Sequence, residues 1–396
     1  MPQKIKIRVV GTFKKEDIYT KQASIKIGSR EYIPLFPAIN PRRVRYNTIR
    51  NMRQPIPIEN YIVLKLEALR AMDSDQDKQK AFIAEKLENT SAAITLFITK
   101  LLVKPTQKIL DKDVDYLVDL LNFPSNDIMV PPLIYDYVTT QSSTIFPNGK
   151  DIPTKGADPD SYITFLKLFL QKAAQRNIES FAMMIPNNFS HTDIEKLLST
   201  YKDYDTQIAV IDAKGSKISQ LSPQISKLIS FDPNLYTLPQ KNKDAFALYA
   251  FDSVPYTAHQ RDLAPAENVL QYFSGFSWFG PRHTVNIRFN TPLPPHPPRL
   301  YNSDEYAYIK HTSKTYAQEK KSFDDWFKAV YATAPTPKDK LNSYKKDYEI
   351  VGLARSVDAL YGNISNDKFF STILSKPHLS DVVKRIKSMN KNDLKL

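Results

Sequence analysis

The chain contains no cysteine, which excludes disulfide bonds, thiolate nucleophiles, cysteine-based zinc sites and iron–sulfur clusters. Only 9 glycines stand against 28 prolines. Neither a P-loop nor a G-x-G-x-x-G pattern is present, so the sequence disfavours an NTPase or a Rossmann dinucleotide-binding protein. No uninterrupted apolar segment approaches the roughly 18 residues needed to span a bilayer.

The N-terminal sequence MPQKIKIRVV lacks the long apolar segment and the small-residue cleavage site of a signal peptide. We therefore expect a cytoplasmic protein that has no membrane partner.

The composition is sufficient for a large core and is strongly basic. Of 396 residues, 42% are hydrophobic, enough for one large domain or two to three smaller ones. Lys and Arg total 55 and Asp and Glu total 42, which gives a formal net charge of +13. Such an excess favours a polyanionic partner, most simply nucleic acid. A basic surface without a function is the alternative.

Short apolar segments alternate with amphipathic ones through the middle of the chain. The strand-like segments are residues 128–138, 181–187, 207–212 and 246–251. The helix-like segments are residues 158–176, a helix that opens at Ser190 with Asp193 in a near capping box, and residues 221–229. This alternation is typical of parallel βα units. Residues 60–122 are predicted to be mostly helical.

Each predicted strand ends in a polar group. These groups are Asp136 with Gln141, Asn187 with Asn188, Asp212 with Lys214 and Gly215, and Asp252. Because all strand ends meet on one face of a β/α barrel, whereas an open sheet gathers only those near its switch point, the pattern favours a (β/α)8 TIM-like barrel.

We expect three parts in this architecture. Residues 1–30 form a small N-terminal β element, and residues 31–290 form the catalytic barrel. Residues 291–396 form a proline-rich crossing segment and a C-terminal helical extension packed on the barrel.

Asp252 is the first candidate for chemistry, because it follows the buried strand of residues 246–251 directly. A carboxylate at the end of a buried strand lies between a low-dielectric core and a surface cleft, where nucleophiles and acids are built. The alternative is that Asp252 only caps the turn that continues to Pro255.

The segment ALYAFDSVPYTAHQRDLAPAENVLQYF resembles the late barrel strand of tRNA-guanine transglycosylases, especially the archaeosine type. The matching residues are Phe251, Asp252, Ser253 and Tyr256, followed by Arg261 and Asp262. Residues 348–386 look like the C-terminal helices of that family, and residues 32–38 are similar to its first barrel strand. Together these segments cover about a third of the chain.

The resemblance implies an enzyme that exchanges a guanine base in nucleic acid for a 7-deazaguanine base. Asp252 would attack the ribose anomeric carbon and form a covalent glycosyl-enzyme. Asp136 is the first candidate for the second carboxylate, as acid/base or in base recognition, with Asp212 behind it. The residues expected to contact the substrate are Gln141, Asn187, Asn188, Asp212, Lys214, Gly215 and Tyr256.

Basic residues are expected to hold the nucleic-acid backbone. They are Arg42, Arg43, Arg45, Arg261, Arg282, Lys384 and Arg385. For the cluster around Arg43, a solvated loop is the alternative. A flipped nucleotide and a free 7-deazaguanine base are the further ligands that the resemblance implies, and a homodimer or a partner protein is a further expectation.

The family's structural zinc, held by three Cys and one His, is expected to be absent because no thiolate is available. We expect Phe276, Trp278 and Phe279 to pack in its place, and no cofactor. His283 and His296 lie in a proline-rich loop and are interpreted as surface residues, with metal binding as the alternative.

Three functions remain open from the sequence. The first is a zinc-less transglycosylase that acts on DNA or tRNA, with DNA favoured slightly because the usual RNA-binding extension is not apparent. The second is a catalytically degenerate paralogue that binds nucleic acid or a partner. The third is an unrelated barrel hydrolase or lyase that uses strand-end carboxylates.

Overall fold

The computed structural model describes the chain except for residues 1–4, 34–35, 42, 53–55, 87–91, 123–125, 141–149, 179–180, 205, 218–219, 232–246, 257–260, 284–298, 333–339 and 395–396. Within the described part the protein is a mixed α/β structure with one large, mainly parallel sheet. Every helix in that part is too short or too polar to cross a membrane.

Three strands near the N-terminus form an antiparallel sheet: β1 (Ile5–Lys15), β2 (Ile18–Ile27) and β3 (Arg30–Tyr32). The backbone N–H of Ile7 donates to Oε1 of Gln207 at 2.8 Å. Gln207 is near the start of a strand of the large sheet, so the small sheet covers the amino ends of the parallel strands.

Among the residues that the structure describes, nine strands form the large sheet. They are β4 (Ile56–Lys65), β5 (Ala92–Val103), β6 (Ile128–Met129), β7 (Leu133–Thr140), β8 (Lys150–Gly156), β9 (Phe181–Ile185), β10 (Thr206–Asp212), β11 (Ala247–Phe251) and β13 (Trp278–Phe279). β8 pairs antiparallel with β7, and the other pairs in this sheet are parallel. β6 and β7 both lie against one side of β5 and β4 lies against the other.

A short segment hydrogen-bonds to both β13 and β4. The N–H of Ala38 donates to the carbonyl of Phe279 at 2.8 Å. The N–H of Ile39 donates to the carbonyl of Pro57 at 3.0 Å, and the carbonyl of Ile39 accepts from Glu59 N–H at 2.9 Å.

The remaining strands, β12 (Leu263–Pro265), β14 (Leu300–Asn302) and β15 (Ala307–Ile309), form a small antiparallel sheet. The first seven helices are α1 (Tyr46–Arg50), α2 (Leu66–Asp73), α3 (Gln76–Lys86), α4 (Asp111–Leu121), α5 (Pro159–Gln175), α6 (His191–Tyr201) and α7 (Ser222–Phe231). The others are α8 (Glu267–Leu270), α9 (Tyr316–Val330), α10 (Lys340–Gly362), α11 (Asp367–Leu374) and α12 (Ser380–Ser388).

Local sequence explains several boundaries. α5 begins after Asp158, whose side chain accepts from Ser161 N–H at 3.0 Å, with Pro159 in the first turn. The predicted capping box of Ser190 and Asp193 is confirmed at the start of α6. The predicted strand at 128–138 is interrupted between β6 and β7, where Pro131 and Pro132 have no N–H to pair.

The expectation that residues 60–122 are mostly helical is wrong. β4 extends to Lys65 before α2 begins, and β5 spans Ala92–Val103. The run ITLFITKLLV is rich in β-branched residues, which favour strands. Its residues from Ile94 to Val103 are buried on both faces, so the sequence lacks the alternation that marks a half-exposed strand.

Strand side chains divide between two cores. Val210 and Tyr249 face one cluster, which also contains Ile7 and Ile25 of the N-terminal sheet. Ala209 and Leu248, one position away, face the cluster that the helices form. This division follows from the two-residue period of a strand.

Candidate functional site

Asp252 lies immediately after β11 and is fully buried. Its φ is +55°, a left-handed conformation that Asp tolerates better than most residues. Oδ1 of Asp252 accepts the backbone N–H of His283 at 2.7 Å. Its main-chain carbonyl accepts from Gly215 N–H at 2.7 Å. The prediction that Asp252 ends a buried strand is confirmed.

A second carboxylate, Asp212, ends the neighbouring strand β10 and is also fully buried. It pairs in register with Phe251, so Asp212 and Asp252 meet at the same edge of the sheet. Its Oδ1 accepts from Lys214 N–H at 2.9 Å, and its Oδ2 accepts from the Tyr135 hydroxyl at 3.2 Å.

Burial raises the pKa of Asp212 above its usual value, and the nearby Asp252 carboxylate raises it further. The Lys100 ammonium and the two hydrogen bonds act in the opposite direction without reversing the shift. Asp212 is therefore suited to hold a proton.

Three side chains that the sequence did not single out surround these carboxylates. Lys100 of β5 is 6% exposed. Its ammonium lies 4.6 Å from the centroid of the Tyr135 ring and 5.8 Å from that of Tyr61. Burial raises the pKa of both tyrosines, and Asp212 and Asp252 add to the shift. A lysine inside an apolar segment could have indicated this site. Because the segment was predicted to be helical, the face on which Lys100 lies could not be assigned.

Glu59 of β4 is also fully buried, and it hydrogen-bonds with His283 Nε2 and with the Tyr249 hydroxyl. The interpretation of His283 as a surface residue is wrong, because its side chain is 1% exposed. The chain leaves β13 through Gly280 and returns across the strand ends, so His283 reaches the core. His296 lies outside the described residues.

The structure does not place the Asp136 side chain beside Asp212 and Asp252. Its neighbours Tyr135 and Tyr137 belong to the cluster that contains Ile7 and Ile25, whereas Ile134 belongs to the helix-facing one. The alternation of β7 therefore directs the half-buried Asp136 away from Asp212 and Asp252. The first candidate for the second carboxylate does not fit this geometry, and Asp212 does.

Of the other predicted substrate residues, Lys214 and Gly215 hydrogen-bond through their backbone N–H groups to Asp212 and Asp252. Lys214 and Gly215 form the turn after β10, and the Lys214 ammonium lies 5.5 Å from the Tyr135 ring. The side-chain amide of Asn188 donates to the carbonyl of Ala157, just after β8, at 3.3 Å. The Tyr256 ring packs at a tilt of 33° against the Tyr308 ring, with centroids 4.3 Å apart. Asn187 is half-buried, and its carbonyl accepts from Gln224. Gln141 lies outside the described residues.

Three of the predicted backbone-binding residues form ion pairs within the protein. Arg45 pairs with Asp347 at 2.7 Å, Arg261 with Asp381 at 2.6 Å, and Arg385 with Glu267 at 3.0 Å. Lys384 is exposed on α12, and Arg42 lies outside the described residues.

Arg43 and Arg282 line a pocket of about 70 Å³ beside the Asp252 turn. The Arg43 guanidinium donates to the carbonyl of Arg282 at 2.6 Å. Lys346 joins them and pairs with Glu349, another lining residue, at 2.8 Å. The apolar lining includes Ala38, Ile39, Phe279, Ile350 and Leu353. Ser253, the residue after Asp252, also lines the pocket.

The aromatic residues expected in place of a zinc site are buried. Phe276 and Trp278 have no exposed surface, and Phe279 is 1% exposed. Among the described side chains, no group of three or more His, Asp or Glu is arranged to hold a metal ion.

No protein-family model and no curated protein matches the chain. Among solved structures, it is similar to a variant of the carboxyl transferase domain of pyruvate carboxylase from Rhizobium etli, solved with pyruvate. The identity is 8% over 88% of this chain, the TM-score is 0.33, and the alignment spans 57% of that chain. Similarity at this level does not identify a shared activity.

Proposed function

We propose that the large sheet closes into a (β/α)8-type barrel. Eight parallel segments would make the barrel, with β6 and β7 counted as one interrupted strand: the Ala38–Ile39 segment, β4, β5, β6/β7, β9, β10, β11 and β13. The hydrogen bonds that join β13 to β4 through Ala38 and Ile39 support closure. The division of strand side chains between an interior and a helix-facing cluster supports it as well.

We propose that the protein is a nucleic-acid base-exchange glycosyltransferase that replaces guanine with a 7-deazaguanine base in DNA or tRNA. The observation that carries the proposal is the pair of buried carboxylates, Asp212 and Asp252, at the carboxyl ends of adjacent parallel strands. The sequence resemblance around Asp252 supplies the type of reaction.

In this reaction a carboxylate oxygen of Asp252 attacks C1′ of the target nucleotide, and the bond from C1′ to the base breaks. The base leaves with the bonding electron pair and takes a proton from Asp212, whose raised pKa suits a proton donor. The incoming base then gives its ring N–H proton to the Asp212 carboxylate and attacks C1′, which releases Asp252.

The pocket beside Ser253 supports a nucleotide as the ligand. Its apolar lining suits the faces of a base, and the guanidinium groups of the lining residues Arg43 and Arg282 suit phosphate. Because Asp252 has no exposed surface, the residues that cover its carboxylate must move before a ribose can reach it. The net charge of +13 supports a polyanionic substrate.

The test is incorporation of a radiolabelled 7-deazaguanine base into DNA and into tRNA by the wild type, Asp252→Asn and Asp136→Asn. We expect Asp252→Asn to abolish incorporation, because an amide does not form the glycosyl ester. Its nucleic-acid affinity should stay within about threefold, a change below 1 kcal/mol. Asp136→Asn should retain incorporation, since Asp136 faces away from Asp212 and Asp252.

A denaturant-resistant adduct with nucleic acid should form in the wild type when the incoming base is withheld, and should be missing in Asp252→Asn. Equal incorporation by these two proteins would exclude Asp252 as the nucleophile. The full burial of both carboxylates favours, as a second candidate, a paralogue that only binds nucleic acid. It predicts salt-sensitive binding with neither adduct nor incorporation.

A further inference from the structure

Glu59 and His283 form a buried pair that the proposed reaction does not use. Glu59 has no exposed surface, and the side chain of His283 is 1% exposed. One carboxylate oxygen of Glu59 hydrogen-bonds with His283 Nε2, and the other accepts from the Tyr249 hydroxyl. Burying two ionisable side chains is costly, and an apolar pair of the same size is often as stable. Stability alone is therefore a weak explanation for this pair.

The pair fixes the His283 ring in one orientation. The ring centroid lies 4.1 Å from that of Tyr61 and 5.4 Å from that of Phe251. Within the described part of the chain, Nδ1 of His283 has no hydrogen-bond partner. Glu59 is thus the ring's hydrogen-bonding anchor among those residues.

The backbone of the same residue contacts Asp252. The N–H of His283 donates to Oδ1 of Asp252 at 2.7 Å. A hydrogen bond of this kind sets the orientation of a carboxylate and stabilises its charge. Displacement of the His283 backbone would therefore lengthen or break this hydrogen bond to Asp252.

We propose that Glu59 is a positioning residue for Asp252. It holds the His283 ring and thereby keeps the His283 backbone N–H aimed at the Asp252 carboxylate. Its effect on a reaction rests on the proposed function, whereas its effect on the His283 backbone does not.

The structural part is tested by hydrogen exchange of backbone amides in protein labelled with ¹⁵N-histidine. His283→Asn assigns the His283 signal among the 6 histidines. In Glu59→Ala the His283 amide should exchange at least about tenfold faster than in the wild type, because its anchor is lost. The remaining histidine amides serve as internal references for global destabilisation and should change much less.

Two further variants serve as controls. One keeps the shape of the Glu59 side chain without its charge, and the other changes a carboxylate elsewhere in the protein. Glu59→Gln retains the shape and an oxygen that accepts from His283 Nε2–H, so it should keep the His283 amide within about threefold of wild type. Glu67→Gln changes a half-exposed carboxylate that accepts from the Tyr137 hydroxyl, and it should leave the His283 amide unchanged. An unaltered His283 amide in Glu59→Ala would overturn the proposal.

The catalytic part is tested with the rate of adduct formation between the protein and nucleic acid. Glu59→Ala should slow adduct formation by about 100-fold, since small misplacement of a reacting group has effects of that size. Nucleic-acid affinity should be unchanged, and Glu59→Gln should recover most of the rate. In a His283→Ala background, Glu59→Ala should add less than about threefold, because both act through one contact.

The outcomes separate the two proposals. If the wild type forms no adduct but Glu59→Ala accelerates exchange of the His283 amide, the proposed function fails and the positioning of His283 stands. The other outcome is that the wild type forms the adduct and the double variant loses as much rate as the product of the losses in Glu59→Ala and His283→Ala alone. In that case Glu59 does not act through His283, and the positioning proposal fails.

Discussion

At the residue scale, the site depends on the different hydrogen-bond partners of two similar, fully buried carboxyl groups. Asp212 and Asp252 both follow an apolar strand, and the sequence gives them the same pattern. Within the structure, Asp212 accepts from Tyr135 and Lys214, whereas Asp252 accepts from the backbone of His283. Burial raises the pKa of Asp212, which suits the proton-donor role that we propose for it.

The raised pKa of Asp212 predicts a specific pH dependence of stability. Below the usual pKa of 3.8, Asp212 is neutral both folded and unfolded. As pH rises through the higher pKa of the folded protein, the wild type loses stability because its folded form holds the proton more tightly. Asn does not titrate, so the free energy of unfolding of Asp212→Asn should rise relative to that of the wild type over this pH range.

Urea unfolding of both proteins across this pH series measures the difference. The comparison cancels the titration of groups that the two proteins share. A wild type that gains stability relative to Asp212→Asn with rising pH would mean that folding favours ionised Asp212. The proposed proton donor would then be wrong.

At the element scale, the site depends on a close approach of β13 to β4 and β11. A Cβ atom at Gly280, just after β13, would overlap the Glu59 carboxylate and the Tyr249 hydroxyl. The neighbouring backbone is held, because Gly280 N–H donates to the carbonyl of Ala250 at 3.0 Å. Glycine is required here by space, since three strands converge on one buried network.

Gly280→Ala should therefore lower the free energy of unfolding by about 1–3 kcal/mol, the usual cost of overpacking a core. Gly362→Ala is the matched control, because nothing lies within 4 Å of a Cβ at that helical position. It should be neutral or stabilising by up to about 1 kcal/mol. Urea unfolding distinguishes the two variants. Equal stability of both would show that the Glu59 and Tyr249 side chains can shift to accommodate a Cβ atom at little cost.

At the scale of the whole molecule, the C-terminal segment ties together distant parts of the chain. The amide of the buried Asn390 donates to the carbonyl of Asp17 at 2.7 Å and to that of Phe273 at 2.9 Å. Lys387 pairs with Glu16 at 2.9 Å. The C-terminal helix thereby joins the turn between β1 and β2 to the segment before β13.

Asn390→Ala should lower the free energy of unfolding by about 2–3 kcal/mol, because the carbonyl groups of Asp17, in a part-buried contact, and Phe273, in a buried one, lose their donor. Asn392→Ala, in the same turn, removes an exposed hydrogen bond to Ser388 and should stay within about 0.5 kcal/mol of wild type. The measurement is chemical unfolding at neutral pH. Similar values for both variants would show that the C-terminal segment contributes little to the stability of the whole chain.

Much of the local structure could be predicted from the sequence. The strands that end at Asp212 and Asp252, and the cap at Ser190, depend on residues adjacent in the chain, whose apolar runs and capping side chains are visible directly. The absence of cysteine and the excess of basic residues are equally direct. These features were enough to predict the alternation of strands and helices and to exclude cysteine-based chemistry. They also identified Asp252 as the first candidate for chemistry.

The surroundings of Asp252 were decided only by the tertiary structure. Glu59, Lys100 and His283 come from three distant segments, and whether each faces the interior depends on strand phase and on the path of the chain after β13. A shift of one residue reverses the face of a strand, which is why Tyr135 lies at the site and Asp136 does not. Local patterns identify the strand end that carries a carboxylate, whereas packing between distant strands decides its partners.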